Sequence, residues 1–153
     1  MIFDLENIPV QRGTDYPQPF KAMVEGRSRQ RLGNAAGLTN FGVNLTTLEP
    51  GSASSLRHWH SRQDEFIYIV SGELVLVTDE GETVMKPGMM AAFPAGEANG
   101  HCLVNRTQES AVYLEVGDRT SGDSATYPDV DLLAAPTPQG YTFTHVDGTP
   151  YKS

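Results

Sequence analysis

Short β-rich runs separated by turn residues fill the middle of the chain, from Phe41 to about Val116. Runs such as EFIYIVSG (65–72) and ELVLVTDEG (73–81) alternate with glycine, proline and acidic residues. This texture is typical of an all-β sandwich or barrel. The runs LVLV and IYIV are apolar on both faces, so we expect a second sheet or a partner subunit to cover them.

Length and texture together predict a single domain. At 153 residues the chain is long enough for one core and too short for two full-sized domains. Residues 1–38 show no helical period, which predicts an extended arm packed on a barrel formed by residues 39–118. Residues 119–153 predict a tail that folds back on the barrel, with a short helix after Pro128, because proline suits the first turn of a helix.

The formal net charge of −8 restricts the partners of the protein. Nucleic acids and anionic membranes bind basic surfaces, so we expect neither as a partner. Cys102 is the one cysteine, which excludes an intrachain disulfide and favours a reducing compartment. No secretory signal or membrane span is visible, and the sequence therefore predicts a cytoplasmic protein that acts on a small-molecule substrate.

Three histidines and one glutamate have a spacing that suits a metal site. His58 and His60 are one residue apart, and side chains at positions i and i+2 of a strand lie on the same face. Glu65 follows a bend at residues 61–64, and His101 arrives from a later strand. Imidazole and carboxylate ligands favour a divalent first-row transition metal (zinc, manganese, iron or nickel) over calcium or magnesium. The sequence predicts one such ion on these four residues, with open coordination positions for water or substrate.

The same residues resemble the two conserved motifs of the cupin superfamily. The runs that carry the resemblance are Gly51-x6-His58-x-His60-x4-Glu65-x6-Gly72 and Gly88-x5-Pro94-x-Gly96-x4-His101-x3-Asn105. The second run has four residues between glycine and histidine, where two are usual in the family. From about residue 37 to residue 151 the chain is similar to a group of single-domain bacterial cupins, some of which are labelled sugar-phosphate isomerases. The resemblance implies a double-stranded β-helix (jelly-roll) barrel, a homodimer and a mononuclear metal inside the barrel mouth.

The resemblance makes a sugar or sugar-phosphate isomerase the leading functional hypothesis. In such an enzyme the metal polarises a carbonyl while a base moves a proton between neighbouring carbons. Glu97, in the longer loop before His101, is the candidate catalytic base, and an exposed loop acid without a role is its simpler interpretation. The acidic composition and the lack of a basic cluster to seat phosphate argue against a phosphorylated substrate.

Other functions are compatible with the same ligands. With Fe(II) the site suits a dioxygenase, and it equally suits metal-assisted lyase or decarboxylase chemistry on a small organic acid. A non-catalytic module that binds a sugar or a small acid is a further alternative, as is a metal that only holds the barrel together. An enzyme would lose turnover, but keep its fold, when Glu97 or the metal histidines are replaced.

Four residues near the motifs or in the tail have simple structural interpretations. By strand alternation Arg57 points away from the side chain of His58, and Trp59 is expected to serve packing. Cys102 alternates away from His101 and is expected to be a small buried residue. His145 is expected to lie at a surface turn.

Overall fold

Antiparallel β-strands are the main regular secondary structure of the protein, as shown by a computed structural model that describes residues 1–152. The strands, in chain order, are β1 (Val10–Arg12), β2 (Arg27–Arg31), β3 (Phe41–Leu48), β4 (Trp59–His60), β5 (Glu65–Ser71), β6 (Leu74–Thr78), β7 (Gly81–Met85), β8 (Met90–Phe93), β9 (Cys102–Val104), β10 (Ala111–Asp118), β11 (Ala125–Thr126), β12 (Leu133–Thr137) and β13 (Gly140–Thr144). The helices are α1 (Gln18–Lys21) and α2 (Leu32–Ala35), with 3-10 turns at Leu5–Asn7 and Ala22–Val24. Within residues 1–152 no helix is long and apolar enough to cross a membrane.

Three sheets form the barrel. The largest has the order β1-β2-β3-β10-β5-β8, and the other two have the orders β13-β12-β11-β4 and β7-β6-β9. Strand β10 pairs along its whole length with β3 and, on its other side, with β5. These neighbours are distant in the chain, as expected for a jelly roll, whose connections cross between sheets. The all-β jelly-roll prediction is confirmed.

The main core lies between the six-stranded sheet and the β7-β6-β9 sheet. Alternation along β5 points Ile67 and Ile69 inward, where they meet Leu74 of β6. Burial of an aliphatic side chain of this size contributes about 1.5–3 kcal/mol. The opposite sheet thus covers one face of the apolar runs, while Tyr68 and Val70 of β5 remain 36% and 47% exposed on the outer face.

A second buried cluster joins the two ends of the chain. Tyr16, from the segment before α1, packs edge-on against Tyr127 and Phe143, with ring centroids 5.8 and 5.3 Å apart. Leu132 and Ala134 of the tail are buried in the same cluster. The first 38 residues also contribute β1 and β2 to the large sheet, so they form part of the wall of the barrel.

The short helix predicted after Pro128 is wrong. The chain makes a turn at residues 128–131 and then continues as β12, which pairs with β13 along its whole length. Asp131 holds the turn, because its carboxylate accepts a hydrogen bond from the backbone N–H of Val146 (2.8 Å) and lies 2.8 Å from His145 Nδ1. Pairing between β12 and β13 therefore outweighs the local preference for a helix.

Gly72, at the turn between β5 and β6, provides a test of how closely this turn packs on β10. Its φ is +75°, and an added Cβ would lie 2.8 Å from the Cα of Ala111. Gly88 has a similar φ of +90°, but an added Cβ there would have no neighbouring atom within 4 Å. We expect Gly72→Ala to lower the free energy of unfolding by about 2–4 kcal/mol, from backbone strain and overpacking. Gly88→Ala should lose about 1–2 kcal/mol from strain alone. Urea denaturation measures both, and equal losses would contradict the close packing against Ala111.

Candidate metal centre

Two histidines and one glutamate converge where β4 and β5 meet the interior of the barrel. His60 lies in β4, His58 stands just before it, and Glu65 is the first residue of β5. Their candidate ligand atoms all lie within 4.8 Å of one another. Glu65 Oε1 is 2.9 Å from His60 Nε2 and 3.5 Å from His58 Nε2. Ligand atoms ~2.1 Å from one ion are roughly 3 Å apart when adjacent, so the cluster is consistent with a metal site.

The other ring nitrogens of the two histidines are held in the way that metal ligation requires. His58 Nδ1 is 2.9 Å from the carbonyl oxygen of Leu56, which can only accept, so Nδ1 carries the hydrogen. His60 Nδ1 is 2.6 Å from Asp123 Oδ2. With Nδ1 held in this way, Nε2 is the ring nitrogen that would face a bound cation, which is the usual arrangement of histidines that bind metals.

His101 reaches the cluster from the opposite side. Its backbone forms a β-bridge with His58, with N–H···O distances of 2.9 and 3.1 Å. Its Nε2 hydrogen-bonds Glu65 Oε2, and its ring stacks on Phe93 with centroids 3.5 Å apart. The longer loop before it is tied back by Asn99, whose Oδ1 accepts from the backbone N–H of Asp79 (2.8 Å).

His101 nevertheless differs from the other two histidines. It lies outside the group of three whose ligand atoms are mutually close. Its Nδ1 is buried and has no hydrogen-bond partner in the part of the chain that the structure describes. Its role as a fourth ligand stays a prediction.

Charge in the cluster is set by Glu65. Burial alone would raise the pKa of this carboxyl, but hydrogen bonds from His101, His58 and His60 outweigh it and hold the pKa well below its usual range. For His60, burial lowers the pKa, but contacts with Glu65 and Asp123 raise it to about 9 in the metal-free protein. Burial lowers the pKa of His101. The site therefore keeps an ionised carboxylate, as a cation requires.

Asp123 contacts His60 but belongs to neither of the two sequence motifs. It stands 63 positions from His60 and is 2% exposed. Its Oδ1 accepts hydrogen bonds from the backbone N–H groups of Arg62 (2.8 Å) and Gln63 (3.1 Å), and the hydroxyl of Tyr141 donates to its Oδ2. Burial raises the pKa of Asp123, but these bonds and the contact with His60 lower it overall. Asp123 thus orients His60 and anchors the bend that leads to Glu65.

The cluster opens into a cavity of about 980 Å³ inside the barrel. Its wall contains His58, His60, Glu65 and His101, together with Glu115 from the neighbouring strand β10. The wall also contains five arginines, from three separate parts of the chain: Arg12, Arg27, Arg29, Arg31 and Arg119. A basic cluster was not expected from the sequence, and the alternation of arginines in RSRQR (27–31) was the signal for it.

Glu97, the predicted base, occupies a different position. It is exposed on the loop after β8 and lines a smaller pocket of about 220 Å³, whose wall includes His60 and His101. It is not among the residues that line the larger cavity. Its catalytic role stays a prediction.

Arg57, Cys102 and His145, for which the sequence predicted structural roles, are not part of the cluster. Arg57 forms ion pairs with Asp129 (2.9 Å) and with Asp79. Cys102 is buried, and burial raises the pKa of its thiol to about 11, so it is mainly protonated near neutral pH. His145 lies 2.8 Å from Asp131 at the surface.

Comparison with known proteins agrees with this fold. The family model described as "Cupin domain" matches residues 44–117. A sugar phosphate isomerase of the cupin superfamily from Silicibacter pomeroyi is 49% identical, with a TM-score of 0.95, and the match covers 100% of this chain and 98% of that one. The chain belongs to the cupin superfamily. No curated protein matches the sequence.

More distant structures share the barrel. A protein from Acidithiobacillus ferrooxidans, provisionally called a sugar phosphate isomerase, is 27% identical over 83% of this chain and 81% of its own, with a TM-score of 0.74. A polyketide cyclase from Streptomyces resistomycificus is 19% identical over 77% of this chain and 78% of its own, with a TM-score of 0.64. At that identity the second likeness concerns the fold alone.

Replacement of both histidines of the group should remove the metal. We expect His58→Ala/His60→Ala to lose bound transition metal, because one carboxylate and His101 leave too few ligands. Elemental analysis of protein purified without an affinity tag measures the metal content, and circular dichroism follows the β structure. His145→Ala is the matched control and should keep the wild-type metal content. Stoichiometric metal in the double variant would contradict the assignment of the site.

Asp123→Asn tests the hydrogen bond behind His60. The amide keeps the size of the side chain but removes its charge, so His60 is less firmly held with its proton on Nδ1. We expect metal affinity to fall by about 10–100-fold. Competition with a chelator measures it, with Asp131→Asn, at the surface contact to His145, as control. Equal affinity in Asp123→Asn and the wild type would show that Asp123 does not orient the ligand.

Proposed function

We propose that this cupin is a metal-dependent isomerase acting on a small sugar or sugar phosphate. The observation that carries the proposal is the cluster of His58, His60 and Glu65 in the wall of a cavity of about 980 Å³, which is large enough for a small metabolite. The relative that matches this chain over its whole length at 49% identity is called a sugar phosphate isomerase, which supports the same substrate class.

The residues of the chain divide the chemistry between them. His58, His60 and Glu65, with His101 as the proposed fourth ligand, would hold one divalent ion of zinc, manganese, iron or nickel. When bound, such an ion polarises a carbonyl oxygen and holds the hydroxyl on the next carbon. Asp123 keeps His60 in its orientation, and the barrel wall shields the reacting carbons from bulk water.

An isomerase also needs a base near the reacting carbons, and two carboxylates are candidates for it. Glu97 is the base proposed from the sequence, and it borders the smaller pocket beside His60 and His101. Glu115 faces the larger cavity from β10. Glu65 pairs with Gly117 across the two strands, so Glu115 lies in the diagonal position, roughly 7–8 Å from Glu65.

Glu115 has one oxygen engaged and one available. Its Oε1 accepts hydrogen bonds from Asn44 and Thr46, both at 3.1 Å, and lies 2.8 Å from Arg29 Nε. Its Oε2 makes no hydrogen bond to any residue in the range 1–152 that the structure describes. Glu115 is therefore a second candidate for the base, beside Glu97.

The quaternary structure and location that the family resemblance and composition imply remain proposals. A homodimer would cover the apolar residues on the outer face of β5 and β8, where Tyr68 pairs with Met90 and both are exposed. The acidic composition and the single buried cysteine are in keeping with the cytoplasm.

Exchange of carbon-bound hydrogen with solvent tests the proposed reaction. We expect metal-loaded protein in D₂O to incorporate deuterium next to the carbonyl of at least one aldose, ketose or their phosphates, as followed by NMR. His58→Ala/His60→Ala should abolish the exchange. Replacement of the true base by glutamine should slow it by about 10²–10⁴-fold, so Glu97→Gln and Glu115→Gln identify which carboxylate acts.

The outcomes of this experiment separate the hypotheses. Exchange in the wild type that is lost in only one of the two glutamine variants would support the isomerase and identify the base. No exchange with any sugar, together with oxygen consumption by the iron-loaded protein, would contradict the isomerase in favour of a dioxygenase. Binding of a sugar without exchange would contradict it in favour of a binding module.

A further inference from the structure

One wall of the cavity carries a ladder of arginines. Strand β2 pairs with β3 so that Arg29 stands opposite Thr46 and Arg31 opposite Asn44. Alternation puts Arg27, Arg29 and Arg31 on one face of the strand, and all three line the cavity that holds the metal cluster. Arginines are concentrated here although the chain as a whole carries a net charge of −8.

Arg29 differs from the buried Arg27 in having free terminal amino groups. Arg27 is buried, and its terminal amino groups donate to the backbone oxygens of Ser54 (2.6 Å) and Gly13 (3.2 Å). Arg29 Nε lies 2.8 Å from Glu115 Oε1 in an ion pair, and within residues 1–152 this buried nitrogen has no aligned hydrogen-bond partner. Its two terminal amino groups donate to no residue of the described range 1–152, and the side chain is 25% exposed.

The free edge of Arg29 and the metal cluster lie at separate points of the same cavity. Arg29 reaches across β3 to Glu115, and Glu115 is the diagonal neighbour of Glu65, roughly 7–8 Å away. Glu115 therefore stands between the Arg29 guanidinium and the cluster, and both line the same cavity. One molecule can therefore meet the cluster at one end and Arg29 at the other.

We propose that Arg29 binds the phosphate group of a small phosphorylated substrate whose other end meets the His58, His60 and Glu65 cluster. The location of that second end rests on the proposed function, whereas the anion site does not. A guanidinium fork binds phosphate oxygens in pairs, and Arg31 stands two residues along the same face to meet a second negative charge. A purely structural ion pair with Glu115 would not need two terminal amino groups left open to the cavity.

Titration with inorganic phosphate tests the site without any substrate or metal. Isothermal titration calorimetry on the metal-free, full-length protein compares the wild type with Arg29→Gln, Arg29→Lys and Arg106→Gln. Arg106 is the matched control, since it is also paired with a glutamate, Glu82 (2.6 Å), but lies outside the cavity. We expect phosphate affinity to fall by at least about tenfold in Arg29→Gln, to fall less in Arg29→Lys, and to stay unchanged in Arg106→Gln.

Two further arms keep this result separate from the isomerase proposal. His58→Ala/His60→Ala should bind phosphate as the wild type does, because the anion site does not use the metal ligands. Acetate should bind more weakly than phosphate, because it carries one charge and two oxygens. If hydrogen exchange with sugars failed while phosphate binding still depended on Arg29, the function would be wrong and the anion site right.

Three results would overturn the anion site. These are no binding of phosphate by the wild type at millimolar concentration, equal affinity in Arg29→Gln and the wild type, and acetate binding as tight as that of phosphate. Circular dichroism on each variant shows whether the barrel is intact. Arg29→Lys keeps the charge beside Glu115, so it remains informative if Arg29→Gln does not fold.

Discussion

A partly buried carboxylate surrounded by imidazoles is the interaction on which the site depends. Glu65 would be costly to bury alone, since an unpaired charge in a barrel interior loses its hydration. Contacts from His58, His60 and His101 offset that cost, and these residues come from two strand regions, His58 and His60 at β4 and His101 directly before β9. The β-bridge between His58 and His101 brings two of these strands together at the cluster. The same packing that closes the barrel therefore assembles the cation site.

The inner face of the six-stranded sheet changes from core to site along its strands. At one end Leu48 and Ala111 pair across β3 and β10 and are fully buried. Four residues further along, the same two strands carry Asn44 and Glu115, which face the cavity. One sheet can carry both core and cavity residues because alternation points every second side chain into the barrel. The residue type at each inward position then decides whether that part of the interior is apolar or polar. Core residues and cavity-lining residues thus follow one another along the same strands.

Charge is distributed unevenly between the protein as a whole and the cavity. The net charge of −8 disfavours long-range attraction of anions, yet arginines line the cavity from several directions. Paired donors act at contact distance, where a guanidinium fork in a partly enclosed space outweighs the distant charges. The net charge of the whole chain therefore does not predict the charge of the residues that line the cavity.

The sequence by itself determined the β class, the jelly-roll family and the ligand spacing at His58, His60 and Glu65, because strand alternation and short motifs are local properties. Only the tertiary structure decided the rest of the surroundings. Asp123 reaches His60 across 63 positions, and Arg29 reaches Glu115 through the pairing of β2, β3 and β10. The tail after residue 128 forms β12 in a hairpin with the following strand β13, which outweighs the helix start that the local sequence predicted. Pairing between distant segments has no local signature. The candidate metal ligands could therefore be predicted from the sequence, while the residues that contact and face them could not.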